Sequence, residues 1–168
     1  MKRYRLVLVL GTLVLGSLMA QTTQDPAIAA AKAKLEVVYD LGRVFSYIYT
    51  MDTKEKTLAL TASQVKALLG YAEAIRSDQR IEPEEAEAML DKIENTVLNA
   101  KQLMYIDQLA IERMNTKTTT AGTNAGSSTG TSPVQSYING GPFNPMLDTT
   151  KTIGKDFQTA YNYLKGKK

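Results

Sequence analysis

Two short stretches constrain this chain more than any other feature. Leu60-Thr61-Ala62-Ser63-Gln64 sets a helix-capping hydroxyl three residues before a glutamine that can reach back to the cap's own amide. Leu60, just before the cap, and Val65, four positions after it, form a hydrophobic staple. Leu98-Asn99-Ala100-Lys101-Gln102 repeats the device, with Asn99 as the cap, Gln102 as the box partner and Leu98 with Leu103 as the staple. Each cap contributes about 1 kcal/mol to a helix. Two matching start signals in neighbouring segments predict a helix-hairpin unit used twice. Structural capping is the favoured role for Leu60, Thr61, Gln64, Leu98, Asn99 and Gln102, with direct function the minor alternative.

Between the copies, Ile81-Glu82-Pro83-Glu84-Glu85 marks a third start, because proline suits the first helical position and acids suit the positive end of the helix dipole. Each predicted helix carries one apolar stripe at steps of three and four. The first has Val65, Leu68, Leu69, Ala72 and Ile75; the second has Ala86, Met89, Leu90, Ile93 and Val97; the third has Leu103, Ile106, Leu109, Ala110 and Met114. Gly70 costs its helix about 1 kcal/mol against alanine, and a close helix crossing is the expected reason for it.

Paired Leu-Thr-x-x-Gln starts resemble the periplasmic LTxxQ-motif helical proteins, the class of Spy and CpxP. They are more similar still to exported bacterial proteins with a paired LTxxQ hairpin and a Gly/Pro/Asn-rich tail. The likeness covers about residues 58–114. Leu60, Thr61 and Gln64 match the pattern, as do Leu98 and Gln102, whereas Asn99 stands in place of the threonine. The resemblance implies an all-helical, dimeric protein that acts without ATP as a chaperone or stress adaptor.

Upstream, Asp25-Pro26 reads as a cap and first helical position. Ile28, Ala31, Leu35, Val38, Gly42, Phe45 and Tyr49 then fall at alternating steps of three and four, the seam of a bundle or coiled coil. A long helix over residues 26–50 is the expected spine, with Tyr39, Tyr47 and Tyr49 packed in the bundle and residues 50–59 as a polar link. Before it, Lys2, Arg3 and Arg5 precede an apolar run from Leu6 to Met19, and Ala20 offers a cleavage point. That is the pattern of a secretory signal peptide, and the run is shorter than the about 20 residues a bilayer crossing takes. The expectation is cleavage near Ala20 and a periplasmic or secreted protein; retention as an anchor through residues 6–19 is the alternative.

Charge follows from that reading. The chain has 20 basic and 17 acidic residues. Losing Lys2, Arg3 and Arg5 leaves the rest neutral, so a basic nucleic-acid footprint is missing. Beyond Met114 the sequence turns to Thr, Gly, Ser, Asn and Ala, a composition that buries too little apolar surface to offset its ordering entropy. In Gly140-Gly141-Pro142-Phe143-Asn144-Pro145-Met146-Leu147 the prolines forbid a regular helix. Phe143, Met146 and Leu147 read as a docking patch, first for the chain's own bundle and second for a partner. Ile153, Phe157, Ala160, Tyr161 and Leu164 then line one side of a short last helix, and Lys165, Lys167 and Lys168 read as solvated charge at its end.

The whole is therefore expected to be all-α: a small helical bundle with a long N-terminal helix and a flexible Gly/Ser/Thr-rich linker to a short C-terminal helix. Its parts are a signal (1–20), a bundle (21–114), a linker (115–142) and a docking segment with its helix (143–168).

Reaction chemistry has little to draw on. There is no histidine and no cysteine, which removes the commonest general base, the usual zinc ligands and the Ser-His-Asp and Cys-His arrangements. Glu84, Glu87, Asp91 and Glu94 share one helix face; a solvated face is the favoured reading and a hard cation such as calcium the competing one. The expectation is a non-enzyme without cofactor or metal that binds envelope proteins or unfolded clients. A homodimer is an open option, and membrane contact is expected only through the signal or anchor. The alternative is a structural, oligomeric envelope component held through the seam of its long helix and its C-terminal tail.

Overall fold

A computed structural model describes residues 25–119 and 132–167, with side chains described as far as Asn115 in the first block. The expected signal segment lies outside the described residues, as does 120–131 of the expected linker. The described residues form six α-helices and no strand beyond one isolated bridge, so the all-α reading holds.

Helix α1 (Pro26–Lys54) is the spine. The Asp25 carboxylate accepts from the Ala27 amide at 2.9 Å to cap it. α1 runs four residues further than expected, because Met51 is a core residue and Asp52 is buried beside it. A 3-10 turn (Lys56–Leu58) leads to α2 (Ala62–Ser77), and an extended stretch leads on to α3 (Pro83–Lys92). The second expected stripe does not stay in one helix. After Lys92 a π turn, Ile93–Val97, closes with the Leu98 amide donating to the Ile93 carbonyl at 3.0 Å. The wider turn keeps Ile93 in the core and brings Leu98 into it as well. α4 (Ala100–Thr119) follows.

The linker is bounded more narrowly than the composition implied. Its first residues continue α4, and Pro133–Ile138 forms α5, with Pro133 at its start and the Ser132 hydroxyl accepting from the Gln135 amide at 3.2 Å. Gly140, at φ +76°, turns the chain after α5; a side chain would be strained there. α6 (Thr152–Gly166) completes the fold and makes the most extensive contact with α1.

One core joins all of this. Phe45 of α1 meets Phe157 of α6 edge to face at 5.3 Å between ring centroids. Leu35, Val38, Leu41 and Ile48 of α1, Leu68 and Ile75 of α2 and Leu164 of α6 are buried in the same cluster. Gly42 lets α6 approach: a Cβ there would stand 2.8 Å from the Ile153 side chain. Gly70 does not mark the expected close crossing, since a Cβ there would meet nothing within 4 Å. The seam of α1 is filled largely by the chain's own helices. Leu35, Val38, Gly42 and Phe45 are buried by them, whereas Ile28, Ala31 and Tyr49 stay half-covered.

Candidate functional site

The two capping boxes face each other. In the first, the Gln64 amide donates to the Thr61 hydroxyl at 3.3 Å and the Thr61 amide donates to Gln64 Oε1 at 2.9 Å. In the second, Asn99 Oδ1 accepts from the Lys101 and Gln102 amides at 3.0 and 3.1 Å, and the Asn99 amide donates to Gln102 Oε1 at 3.0 Å. Each glutamine then crosses to the other motif. Gln64 Nε2 donates to the Val97 carbonyl at 2.8 Å and to Gln102 Oε1 at 2.7 Å. Gln102 Nε2 donates to the Leu58 carbonyl at 3.0 Å. Leu60 and Leu98, the staple residues, are buried on either side. The two carboxamides so tie the starts of α2 and α4 into one unit, with Gln102 almost wholly buried and fully used. Their polar atoms are spent on backbone and on each other, and this arrangement leaves nothing to bind a ligand.

The tail motif is also used internally. Phe143 and Met146 are core residues. Phe143 exchanges backbone hydrogen bonds with the α2–α3 connection: its amide donates to Gln79 O at 2.9 Å and its carbonyl accepts from the Ile81 amide at 3.0 Å. Asn144 Nδ2 donates to the Ile75 and Asp78 carbonyls, both at 2.7 Å. Arg80 donates to the Gly141 and Tyr137 carbonyls while its guanidinium lies 4.1 Å from the Tyr137 ring centroid. Only Leu147 of the expected patch keeps part of its surface, in an open hollow with Tyr39, Pro142 and Pro145. Phe143 and Met146 are thus unavailable to a partner, and the patch reads as a self-docked strap.

A third cluster carried no signal in the sequence. The Asp52 side chain is fully buried and accepts from the Leu60 amide at 2.7 Å, from the Tyr163 hydroxyl at 2.8 Å and from the Lys167 ammonium. Burial alone would raise its carboxyl, but the Lys167, Leu60 and Tyr163 bonds outweigh burial and hold it below the usual carboxylate range. Lys167 is therefore not the solvated charge its terminal position implied. An acid flanked by a lysine and a tyrosine is a pattern worth testing for chemistry, but both carboxylate oxygens are engaged and the side chain has no exposed surface. The arrangement is a clamp between the ends of α1 and α6.

An accessible groove runs between α1 and α4. About 470 Å³ is enclosed by Val44 and Tyr47 of α1, Leu90 of α3 and Ile106, Ala110 and Met114 of α4. Around it stand Glu36, Asp40, Glu94 and Asp107, with Arg43 and Arg113 as the cations. Arg43 is held by Glu36 at 2.6 Å and Asp40 at 2.5 Å. Glu94, carried on the π turn, is half-buried; burial first, then the charges of Asp107, Asp91 and Asp40, push its carboxyl above the usual range. Glu84, Glu87 and Asp91 remain exposed. Among the described residues no group of three or more carboxylates is placed to hold a metal ion.

α4 extends that groove with an apolar surface. Of its expected stripe only Ile106 is fully buried; Leu103, Leu109 and Ala110 are half-covered. Met104, Ile111 and Met114 are 71%, 53% and 61% exposed. Among the described residues no helix is long and apolar enough to cross a membrane, so this surface is too limited to be a span.

The chain matches no family model, no curated protein and no solved structure. The likeness to LTxxQ proteins rests on the two five-residue motifs themselves.

Proposed function

We propose that this chain is an exported, non-enzymatic helical protein that binds other proteins along α4 and the groove beside it, as an ATP-independent chaperone or stress adaptor. The observation that carries the reading is the apolar surface of α4: three large side chains more than half exposed on one helix, next to a groove with an apolar floor. Exposed apolar patches bordered by charge mark protein-binding surfaces in folded chains, and methionine adapts to varied partners. Binding without reaction accords with a sequence that lacks histidine and cysteine. Export rests on the basic start and the Leu6–Met19 run.

The test is suppression of aggregation. A client diluted from denaturant is followed by light scattering with this protein at equimolar ratio. Delay is expected for the native chain and its loss for Ile111→Asp, a change at an exposed position, with the helical signal of the variant checked alongside. A client that aggregates at the same rate with and without the protein would remove the reading. The intact mass of the protein recovered from its own cell envelope checks export separately, with an N-terminus at Gln21 expected.

A further inference from the structure

Resting on the protein-binding reading of the α1–α4 groove, we propose that the segment it takes is cationic and amphipathic, with a lysine or arginine seated between Glu94 and Asp107 and apolar neighbours on Leu90 and Ala110. Three observations converge on that occupant. The first is shape: the groove is about 470 Å³, room for one or two long side chains rather than a whole helix. The second is charge. Four carboxylates line it against two guanidiniums, and Arg43 is already engaged by Glu36 and Asp40. That leaves Arg113 as the groove's other cation beside Glu94 and Asp107.

The third is local electrostatics. The charges that act on Glu94 come from Asp107 on α4, Asp91 on α3 and Asp40 on α1, and all three are repulsive. Like charges gathered in a partly dry cleft cost free energy that an incoming cation recovers. Glu94 is held at the groove by the same π turn that buries Ile93 and Leu98. An acidic or neutral apolar segment would gain the floor but leave the repulsion in place, so the groove discriminates between segments by charge. Long lysine and arginine stems also suit the site, since they lay methylenes on apolar surface while their heads reach the carboxylates.

Fluorescence anisotropy of the full chain with a labelled leucine–lysine amphipathic peptide tests this, against counterparts with glutamate for lysine and serine for leucine. The expected result is saturable binding of the leucine–lysine peptide that weakens with salt and weakens about tenfold in Glu94→Gln and in Asp107→Asn, two near-isosteric changes outside the core. The serine counterpart is expected to bind more weakly than the parent. Equal binding of the glutamate peptide, or indifference to both substitutions, overturns the inference. If client aggregation is still delayed in that case, the protein-binding reading stands and only the charge preference falls; if neither peptide nor client is bound, both fall. Sedimentation run alongside provides one more outcome: a dimer lost in Met114→Glu would assign the groove to a second copy and overturn the proposal.

Discussion

Asp52 shows how much one residue can organise. It holds an amide from the loop after α1, a hydroxyl from α6 and the ammonium of Lys167 just beyond that helix. Asp52→Asn keeps the shape but removes the charge that Lys167 answers, and a loss of about 2 kcal/mol at neutral pH is expected. The figure is modest because the Lys167 side chain is 28% exposed and can turn to water. The folded carboxyl lies below its unfolded value. Its contribution is therefore complete above about pH 4 and lost as pH falls through the lower folded value. Lys167 is raised by the same pair, although burial opposes it; its share is complete below about pH 10 and lost above the folded value. Urea unfolding of both proteins from pH 7 down to pH 2 should show two curves that converge at the acid end. Curves that stay parallel would rule the clamp out. None of this was legible in Met51-Asp52-Thr53-Lys54, which reads as part of a polar link. The partners of Asp52 lie eight to more than a hundred residues away, and local pattern does not carry such distances. Two glycines make the same point in opposite directions. A Cβ at Gly154 would stand 2.1 Å from the Asp148 carbonyl oxygen, a backbone atom that cannot yield. Gly154→Ala should cost about 3 kcal/mol, whereas Gly70→Ala, on open surface, should add about 1 kcal/mol. Thermal unfolding of the pair checks both signs.

At the scale of elements, helix starts were the most legible part of the chain because capping is local chemistry. Thr61, Asn99, Pro26 and Pro83 each stand where a helix begins. What the two motifs do beyond starting helices was not legible: the donation of Gln64 to Gln102 depends on the path of the chain through α2 and α3. The π turn was hidden for a related reason. Ala86, Met89, Leu90, Ile93 and Val97 keep helical spacing on paper, and only the demand that both Ile93 and Leu98 be buried forces the wider turn. Because the two carboxamides share one network, their energetics should not be additive. Gln64→Ala leaves the Val97 carbonyl and one Gln102 bond unmet, and Gln102→Ala leaves Leu58 and Asn99 unmet. Each single change should cost about 1–3 kcal/mol. The double change should cost less than their sum, with a coupling of about 1 kcal/mol. A double-mutant cycle in urea reads that coupling directly, and strict additivity would mean that the two starts stand apart in solution.

At the scale of the whole molecule, the described residues on both sides of the Gly/Ser/Thr-rich stretch share one core. Val134, Phe143, Met146, Phe157, Ala160, Tyr161 and Leu164 all come from the last part of the chain, and all are buried in the same cluster as Leu35, Val38, Phe45 and Ile75. The sequence placed the apolar side of α6 correctly but treated it as an accessory, because a Gly/Ser/Thr stretch between two segments looks like a boundary whether or not the segments share a core. Connectivity and packing separate here, and a cut distinguishes them. A protease site introduced between Thr119 and Ser132 should yield two pieces that still elute together and keep their helical signal, since the interface between them is the core itself. Their dissociation should need denaturant, and the nicked protein should unfold in one transition at lower concentration of denaturant than the intact chain, because rejoining two pieces costs entropy that a covalent connection spares. Separate elution in buffer, or two independent unfolding transitions, would mean that α6 is an attachment. In that event the Asp52 clamp and the Phe45–Phe157 contact would be consequences of proximity in one chain rather than the forces that hold it closed.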